Sequence, residues 1–214
     1  MSINRANLLR RRLILSMLAS SGLSPFLRAM AGDDGMAGMQ EHHQHHHHGE
    51  APQGIKRSEA SYGIPLLRLL RQDGSIAEFP DELETGRAVL LNFIYTSCTA
   101  ICPMTTQVFS GVQERLLGEH AALDLVSISI DPEYDTPARL AAYARKFGAG
   151  EHWHFYTGTQ AASIALQKAF NVYRGDKMNH APVSFLRATP GKPWIRLDGF
   201  ASPEQLVREY HGLG

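Results

Sequence analysis

Apolar runs of strand length alternate with segments of helical periodicity through most of the chain. Ala88–Tyr95 and Leu123–Ile130 are almost continuously apolar, which is typical of central strands that are buried on both faces. Pro103–Leu117 carries apolar residues at helical spacing, and Asp135–Phe147 is a second predicted helix. The alternation predicts parallel strands that are joined by crossover helices.

Shorter segments on both sides extend this core. Leu66–Arg71 and Ile76–Phe79 are strand-like runs on either side of Asp73-Gly74, a dipeptide that favours a hairpin. The remaining predicted elements are a strand, a helix, two strands and a helix, in the order Trp153–Tyr156, Thr159–Phe170, Val183–Leu186, Trp194–Leu197 and Pro203–Tyr210. We therefore expect an α/β protein with a thioredoxin-like fold, in which helices flank a central mixed β-sheet and an extra N-terminal β-hairpin is added.

The only two cysteines of the chain, Cys98 and Cys102, lie between the first central strand and its helix, and Pro103 follows directly. This is where α/β folds place ligands and reactive groups, and a helix N-terminus favours the thiolate. The pair is compatible with a metal site, with a redox or structural disulfide, or with two thiols that simply pack. Two sulfurs without a neighbouring carboxylate favour a soft ion, Cu(I) above all, whereas zinc usually takes four ligands.

A third metal ligand must come from a distant part of the chain. The predicted domain holds five histidines, namely His120, His152, His154, His180 and His211. His180 precedes the strand Val183–Leu186, and in a thioredoxin-like layout its loop faces the start of the cysteine-bearing helix. We therefore predict that Cys98, Cys102 and His180 meet at one metal site. The alternative for His180 is an ordinary solvated or hydrogen-bonded side chain.

Further residues near these loops have structural and chemical interpretations. Asp135 is predicted to cap the helix that follows it, and Asp131 is either a loop cap or a residue that orients a ligand or partner. Met104 and Met178 are interpreted as packing residues, with copper ligation by their soft thioethers as the alternative. Thioredoxins carry a cis-proline at a similar place, so we expect a cis peptide bond at Ala181–Pro182.

Residues 1–61 differ in composition from the predicted domain at 62–214. Residues 1–31 combine Arg10–Arg12 with an apolar stretch and the small-x-small sequence Ala29-Met30-Ala31, which predicts an export signal peptide or, as the alternative, an N-terminal anchor. We therefore expect an exported protein in a bacterial periplasm, where free thiols tend to pair. Residues 32–61 are a predicted disordered arm, whose histidines and methionines are suited to bind copper, zinc or nickel; a solvated spacer or a purification tag is the alternative.

The charge balance gives no reason to expect a nucleic-acid partner. The whole chain has 21 basic and 21 acidic residues, so its formal net charge is zero. Residues 1–31 hold five arginines and no acid, so the remaining chain has a net charge of −5.

Three segments together resemble the Sco/SenC copper chaperones. They are Tyr95-Thr96-Ser97-Cys98 through Cys102-Pro103, then Ser129–Pro137 with its Asp-Pro-x-x-Asp-Thr-Pro motif, and finally His180. The resemblance spans about residues 62–210 and implies copper ligation by Cys98, Cys102 and His180. It also implies a metallochaperone rather than an enzyme, which delivers copper to the binuclear copper A site of cytochrome c oxidase or reduces the cysteines of that site.

The chain departs from the family pattern at both ends of the predicted site. Thr99-Ala100-Ile101 separates the cysteines where many members have Pro-Asp-Val, and Asn179 and Ala181 flank the histidine where the family often has Asp and Ser. The groups that contact His180 are therefore expected to differ from those in other family members, and the affinity for copper is expected to differ as a result.

Two other functions remain open. One is a thiol–disulfide reductase that acts on the cysteines of the copper acceptor or in redox defence, in which Cys98 attacks and Cys102 resolves. The other is a sensor of copper or redox state. The expected partner is a copper-acceptor protein such as a cytochrome c oxidase subunit, a membrane is contacted only through an N-terminal anchor, and we expect a monomer.

Overall fold

The structure, a computed structural model, describes residues 54–213. Its strands are β1 Lys56–Ala60, β2 Leu67–Arg71, β3 Ile76–Phe79, β4 Ala88–Ile94, β5 Leu123–Ser129, β6 Trp153–Thr157, β7 Val183–Arg187 and β8 Trp194–Asp198. Its α-helices are α1 Ile101–Leu117, α2 Pro137–Lys146, α3 Gln160–Ala169 and α4 Pro203–His211. Two short 3-10 helices cover Asp81–Leu83 and Lys177–Asn179.

The described strands form one mixed sheet in the order β1-β8-β7-β4-β5-β6-β2-β3. The central strands β4, β5 and β6 are parallel, whereas β7 runs antiparallel to β4 and places Ser184 opposite Asn92. The hairpin of β2 and β3 pairs with β6. The predicted thioredoxin-like fold is therefore confirmed, both in its central mixed sheet and in its added hairpin.

The core lies on both faces of β4 and β5, in which every residue is buried, as the apolar runs predicted. On one face, Phe170 after α3 packs against Phe93 and Phe185, with ring centroids 5.6 and 5.0 Å apart. On the other face, Phe109 of α1 lies 6.1 Å from the ring of Trp153. Apolar contacts on both faces fix β4, the strand that leads to the cysteines.

Helix α1 is held by its neighbours along its length. Ser110 Oγ donates a hydrogen bond of 3.0 Å to the carbonyl of Phe147, which follows α2. Helix α4 crosses α1 at Gly111, where a Cβ atom would stand only 3.0 Å from Pro203 Cγ. The glycine permits this close approach. These contacts fix the helix that carries Cys102 in its first turn.

The strand directions bring three loops to one edge of the sheet. β4 and β5 both end at this edge, and β7 begins there because it is antiparallel to β4. Cys98 follows β4, Asp131 follows β5 and His180 precedes β7. The topology therefore gathers the candidate residues at one edge, although they are far apart in sequence.

The folded part begins earlier than the composition indicated. Lys56–Ala60 forms β1 and pairs antiparallel with β8, from Lys56 opposite Asp198 to Ala60 opposite Trp194. The boundary predicted at residue 62 is therefore wrong by several residues. The polar sequence of β1 gives no strand pattern, because an edge strand forms through backbone hydrogen bonds and leaves its side chains exposed.

Other expectations have different outcomes. Within residues 54–213 the one cis peptide bond is Phe79–Pro80, so the expectation of a cis bond at Ala181–Pro182 is wrong. No α-helix in this range is long and apolar enough to cross a membrane. The predicted leader at 1–31 and the His-rich part of the arm lie outside the described residues.

Candidate metal centre

The cysteine loop is fixed to the protein by its backbone. β4 ends at Ile94 and α1 begins at Ile101, so Cys98 lies in the connecting loop. The Cys98 N–H donates to the carbonyl of Tyr95 at 3.2 Å. The Thr96 N–H donates to both carboxylate oxygens of Asp135, at 3.1 and 3.2 Å. The loop is therefore a turn with defined backbone bonds.

The two sulfurs occupy different environments. Both thiols are free, Cys98 is half-buried and Cys102 is fully buried. The Cys102 N–H donates to Cys98 Sγ at 3.4 Å, and the Tyr95 N–H donates to Cys102 Sγ at the same distance. Cys98 is thus the sulfur that an incoming ion or a partner reaches first.

These environments move the two thiol pKa values in opposite directions. Burial works against ionisation of Cys98, but hydrogen bonds from the backbone N–H groups of Cys102 and Ala100 lower its pKa below the ordinary value. Burial is the main reason that the pKa of Cys102 is raised. Cys98 is therefore the thiol that ionises first, and the expectation that the helix N-terminus favours the thiolate does not hold for the buried Cys102.

His180 is buried and its ring is fixed by one hydrogen bond. Its Nε2 lies 2.9 Å from the carbonyl oxygen of Phe93. A carbonyl oxygen only accepts hydrogen bonds, so Nε2 carries the proton and Nδ1 keeps its lone pair. Burial lowers the pKa of the ring, which keeps it neutral. His180 therefore has the protonation state that a metal ligand needs.

A cavity of about 250 Å³ joins the cysteine and histidine loops. Cys98, His180, Tyr95, Lys177 and Met178 are among its lining residues. Cys102 does not line it, but its N–H is bonded to Cys98 Sγ. Among residues 54–213, no three His, Cys, Asp or Glu side chains lie close enough together to hold a metal ion. The fold thus brings Cys98 and His180 to one cavity without a preformed set of three ligands.

Asp135 has a different role from the predicted helix cap. Thr136 is the N-cap of α2, and its side chain accepts from the Arg139 N–H. Asp135 is fully buried and accepts hydrogen bonds from the Thr96 hydroxyl and, at 2.6 Å, from Ser129 Oγ. It therefore ties the end of β4 to the end of β5. Pro137 could have indicated that Thr136 is the cap, because proline is favoured at the first helical position and the residue before it is then the N-cap.

The ion pair between Lys177 and Asp131 was missed in the sequence. Lys177 Nζ lies 2.6 Å from Asp131 Oδ2 and 5.7 Å from the ring centroid of Tyr95. It connects the loop before His180 to the loop after β5. Asp131, whose role the sequence left open, thus anchors the histidine loop. The sequence did not indicate this pairing, because a lone lysine in a polar loop is usually solvated.

The other histidines near β6 lie apart from this cavity. His152 Nδ1 is 3.3 Å from the carboxylate of Asp124, and His154 is half-buried on β6 beside Tyr156. Neither lines the cavity of Cys98 and His180.

Comparison with known proteins identifies the family of this fold and site. A family model described as SCO1/SenC matches residues 67–213, which is more than half of the chain. The chain belongs to the SCO1/SenC family. This confirms the resemblance drawn from the two cysteines, the Asp-Pro-x-x-Asp-Thr-Pro motif and His180.

Curated relatives share this region at low identity. The chain is 30% identical over 105 residues to a SCO1 protein homolog of Bacillus subtilis, and 28% identical over 156 residues to a SCO2-like protein of Rickettsia felis. These matches cover 49% and 67% of the chain, and 53% and 73% of the relatives. The chain thus spans about half the length of the Bacillus relative.

Solved structures support the fold. A SCO1/SenC family lipoprotein from Bacillus anthracis aligns with a TM-score of 0.64 and 23% identity, over 72% of this chain and 96% of the other. ScoI of Bradyrhizobium japonicum with copper bound aligns with a TM-score of 0.59 and 23% identity, over 72% of this chain and all of the other. At such identities the likeness shows a shared fold.

Proposed function

We propose that this protein is a copper metallochaperone that holds one copper ion through Cys98, Cys102 and His180. The observation that carries the proposal is the shared cavity of Cys98 and His180, with Cys102 bonded directly to Cys98. Solved relatives from Bradyrhizobium japonicum, Arabidopsis thaliana and yeast are described with copper bound. Copper is the cargo in this proposal.

The donor atoms suit copper in its reduced form. Two thiolate sulfurs and one imidazole nitrogen are soft and intermediate ligands, which favour Cu(I), and Cu(II) is accepted with a further ligand. Cys98 ionises more readily than Cys102, whose raised pKa means that copper must displace its proton. The bond of His180 Nε2 to Phe93 leaves Nδ1 for the metal. The Phe93 carbonyl thus sets the tautomer of the ligand, as outer partners do at metal sites.

Loading requires the histidine loop to approach the cysteines. The three predicted ligands are not a preformed cluster, and residues 174–179 of the loop are all exposed. In this proposal copper enters at Cys98, the more accessible sulfur, and His180 closes on it. Release runs in the reverse order, with an acceptor displacing His180 first. Such stepwise exchange avoids a free copper ion.

The proposed acceptor is a copper enzyme, in particular the copper A site of cytochrome c oxidase. The Bacillus subtilis structure is described as a member of the Sco family of cytochrome c oxidase assembly proteins. The Bacillus anthracis relative is described as a lipoprotein. By extension, we propose that this chain is exported to the periplasm with a signal peptide or an N-terminal tether. We also propose that the His-rich arm, which ends before β1, collects copper.

Copper titration of the fully reduced protein tests the metal site. We expect one tightly held Cu(I) per chain, in competition with a chromophoric chelator, and loss of this tight site in Cys98→Ser, Cys102→Ser and His180→Ala. His152→Ala is the matched control, because that histidine lies outside the cavity. Tight stoichiometric binding that survives in a triple variant lacking all three ligands would refute the folded copper site.

The opposite pKa shifts of the cysteines favour a second candidate, a thiol–disulfide reductase. The Cys98 thiolate attacks a disulfide of the acceptor, forms a mixed disulfide and releases one acceptor thiolate. Cys102 then attacks Cys98, which frees the second acceptor thiolate and leaves a Cys98–Cys102 disulfide. An external dithiol reductant must restore the pair. Turnover on an oxidised copper A peptide supports this candidate, whereas a very low reduction potential without turnover excludes it.

A further inference from the structure

Met178 lies at the mouth of the copper cavity with its sulfur held toward the site. The side chain is 73% exposed and lines the cavity together with Cys98 and His180. Its Sδ lies 3.8 Å from the hydroxyl of Tyr95, which donates a hydrogen bond to it. The sulfur is therefore directed at a second lining residue of the cavity, although nothing covers it.

Packing does not explain this position. A side chain with 73% of its surface exposed buries little apolar area, so burial contributes little to holding it there. The backbone is instead held by a hydrogen bond of 2.8 Å from the Met178 N–H to Asp176 Oδ1. The interpretation of Met178 as a packing residue is therefore not supported by its surroundings.

We propose that the Met178 thioether is a fourth, weak ligand of the copper ion, on the open side of the cavity. This inference rests on the proposed function of Cys98, Cys102 and His180. Thioether sulfur is a soft ligand that suits Cu(I), and a weak axial thioether also tunes the redox potential of copper sites. Met178 is two residues from His180 on the same loop, so the approach that closes the histidine on copper also brings the thioether.

The proposed role separates Met178 from the other exposed methionine of the described residues. Met104 lies on α1, is 55% exposed and does not line the cavity. Leucine has nearly the volume of methionine and no sulfur. Met178→Leu and Met104→Leu are therefore a matched pair, because both remove a thioether from an exposed position and only one removes it from the cavity.

X-ray absorption at the selenium edge tests the contact directly. The full-length chain is labelled with selenomethionine, reduced and loaded with slightly less than one equivalent of Cu(I). We expect copper at bonding distance from selenium in the parent and in Met104→Leu, and a loss of this signal in Met178→Leu. Met36 and Met39 of the arm are the same in all three proteins, so the difference between them reports on Met178.

Competition with a chromophoric Cu(I) chelator supplies a second readout. Met178→Leu is expected to weaken Cu(I) binding by up to about tenfold, the lower end of what changes around a metal site cost, and Met104→Leu to leave it unchanged. If the two variants agree in both measurements, the fourth ligand is refuted while the proposed function stands. If Cys98→Ser and His180→Ala also keep tight copper, the proposed function itself fails.

Discussion

The two sides of the candidate copper site are built by different means. The cysteine side, Tyr95–Cys102, follows a fully buried strand and is tied to the buried carboxylate of Asp135. The histidine side, Arg174–His180, has six exposed residues before a single buried imidazole. It is held by the cap of Asp176, the ion pair of Lys177 and the bond of His180 to Phe93.

This difference matches what a carrier of a reactive ion needs. Apolar burial and several buried hydrogen bonds make local unfolding of the cysteine side costly. The histidine side has one buried hydrogen bond, from His180 to Phe93, and its other contacts are more exposed, so its local unfolding costs less. In the proposed function, the fixed pair of sulfurs retains copper while the imidazole admits and releases it. We therefore predict that substitutions on the cysteine side mainly change the free energy of unfolding, whereas substitutions on the histidine side mainly change local motion.

The largest expected effect is at Asp135. Asp135→Asn replaces a carboxylate that accepts bonds from Thr96 and Ser129 with an amide that has one acceptor oxygen. We expect a loss of about 3 kcal/mol in the free energy of unfolding, because buried donors are left without an acceptor. Chemical denaturation of the reduced, copper-free protein measures it.

The neighbouring Thr136 provides the control for this effect. Thr136→Ala removes an ordinary helix N-cap and is expected to cost about 1 kcal/mol. If Asp135→Asn costs no more than Thr136→Ala, the link that Asp135 makes between β4 and β5 does not stabilise the cysteine side.

A smaller effect is expected from the protonation of His180. Burial lowers its pKa in the folded state below the unfolded value of 6.5. The stability that neutral His180 contributes is therefore complete above the unfolded value and is lost as the pH falls through the folded value. Between pH 7.5 and 5, we expect the copper-free protein to lose more stability than His180→Asn. Equal pH dependence of the two proteins would contradict a buried neutral imidazole.

The smallest effect on global stability is expected at Lys177. The ion pair with Asp131 is partly exposed, so Lys177→Met is expected to cost less than about 1 kcal/mol of unfolding free energy. Hydrogen exchange of the amides on the histidine side should nevertheless become faster, since the loop loses its anchor. Lys192→Met, at an exposed turn, is the control. Unchanged exchange in Lys177→Met would show that the ion pair does not hold the loop.

The central strands and most helices could be predicted from local sequence patterns. Ala88–Tyr95 and Leu123–Ile130 were predicted as buried strands because a continuous apolar run of this length is typical of a strand that is buried on both faces. The last helix was predicted to begin at Pro203, and Ser202 before it forms a capping box with Gln205. Such features depend on residues within one turn or one strand, which makes them visible in sequence.

The features that were missed depend on partners far along the chain. Strand β1 forms because its backbone pairs with the edge of β8. Its residues do not alternate between apolar and polar, so the sequence shows no strand pattern there. Asp135 accepts from Thr96, 39 residues away, and Lys177 pairs with Asp131, 46 residues away. A polar side chain in a loop is equally compatible with solvent and with a buried partner.

By itself, the sequence determined the order of the strands and helices that follow β1 and the chemistry of the candidate ligands, because apolar periodicity and two thiols beside a proline are local properties. Only the tertiary structure decided which polar groups are buried, which nitrogen of His180 is left for a metal and how firmly each side of the site is held. These depend on the packing of β4 between β5 and β7, since that packing alone sets which distant backbone and side-chain groups meet.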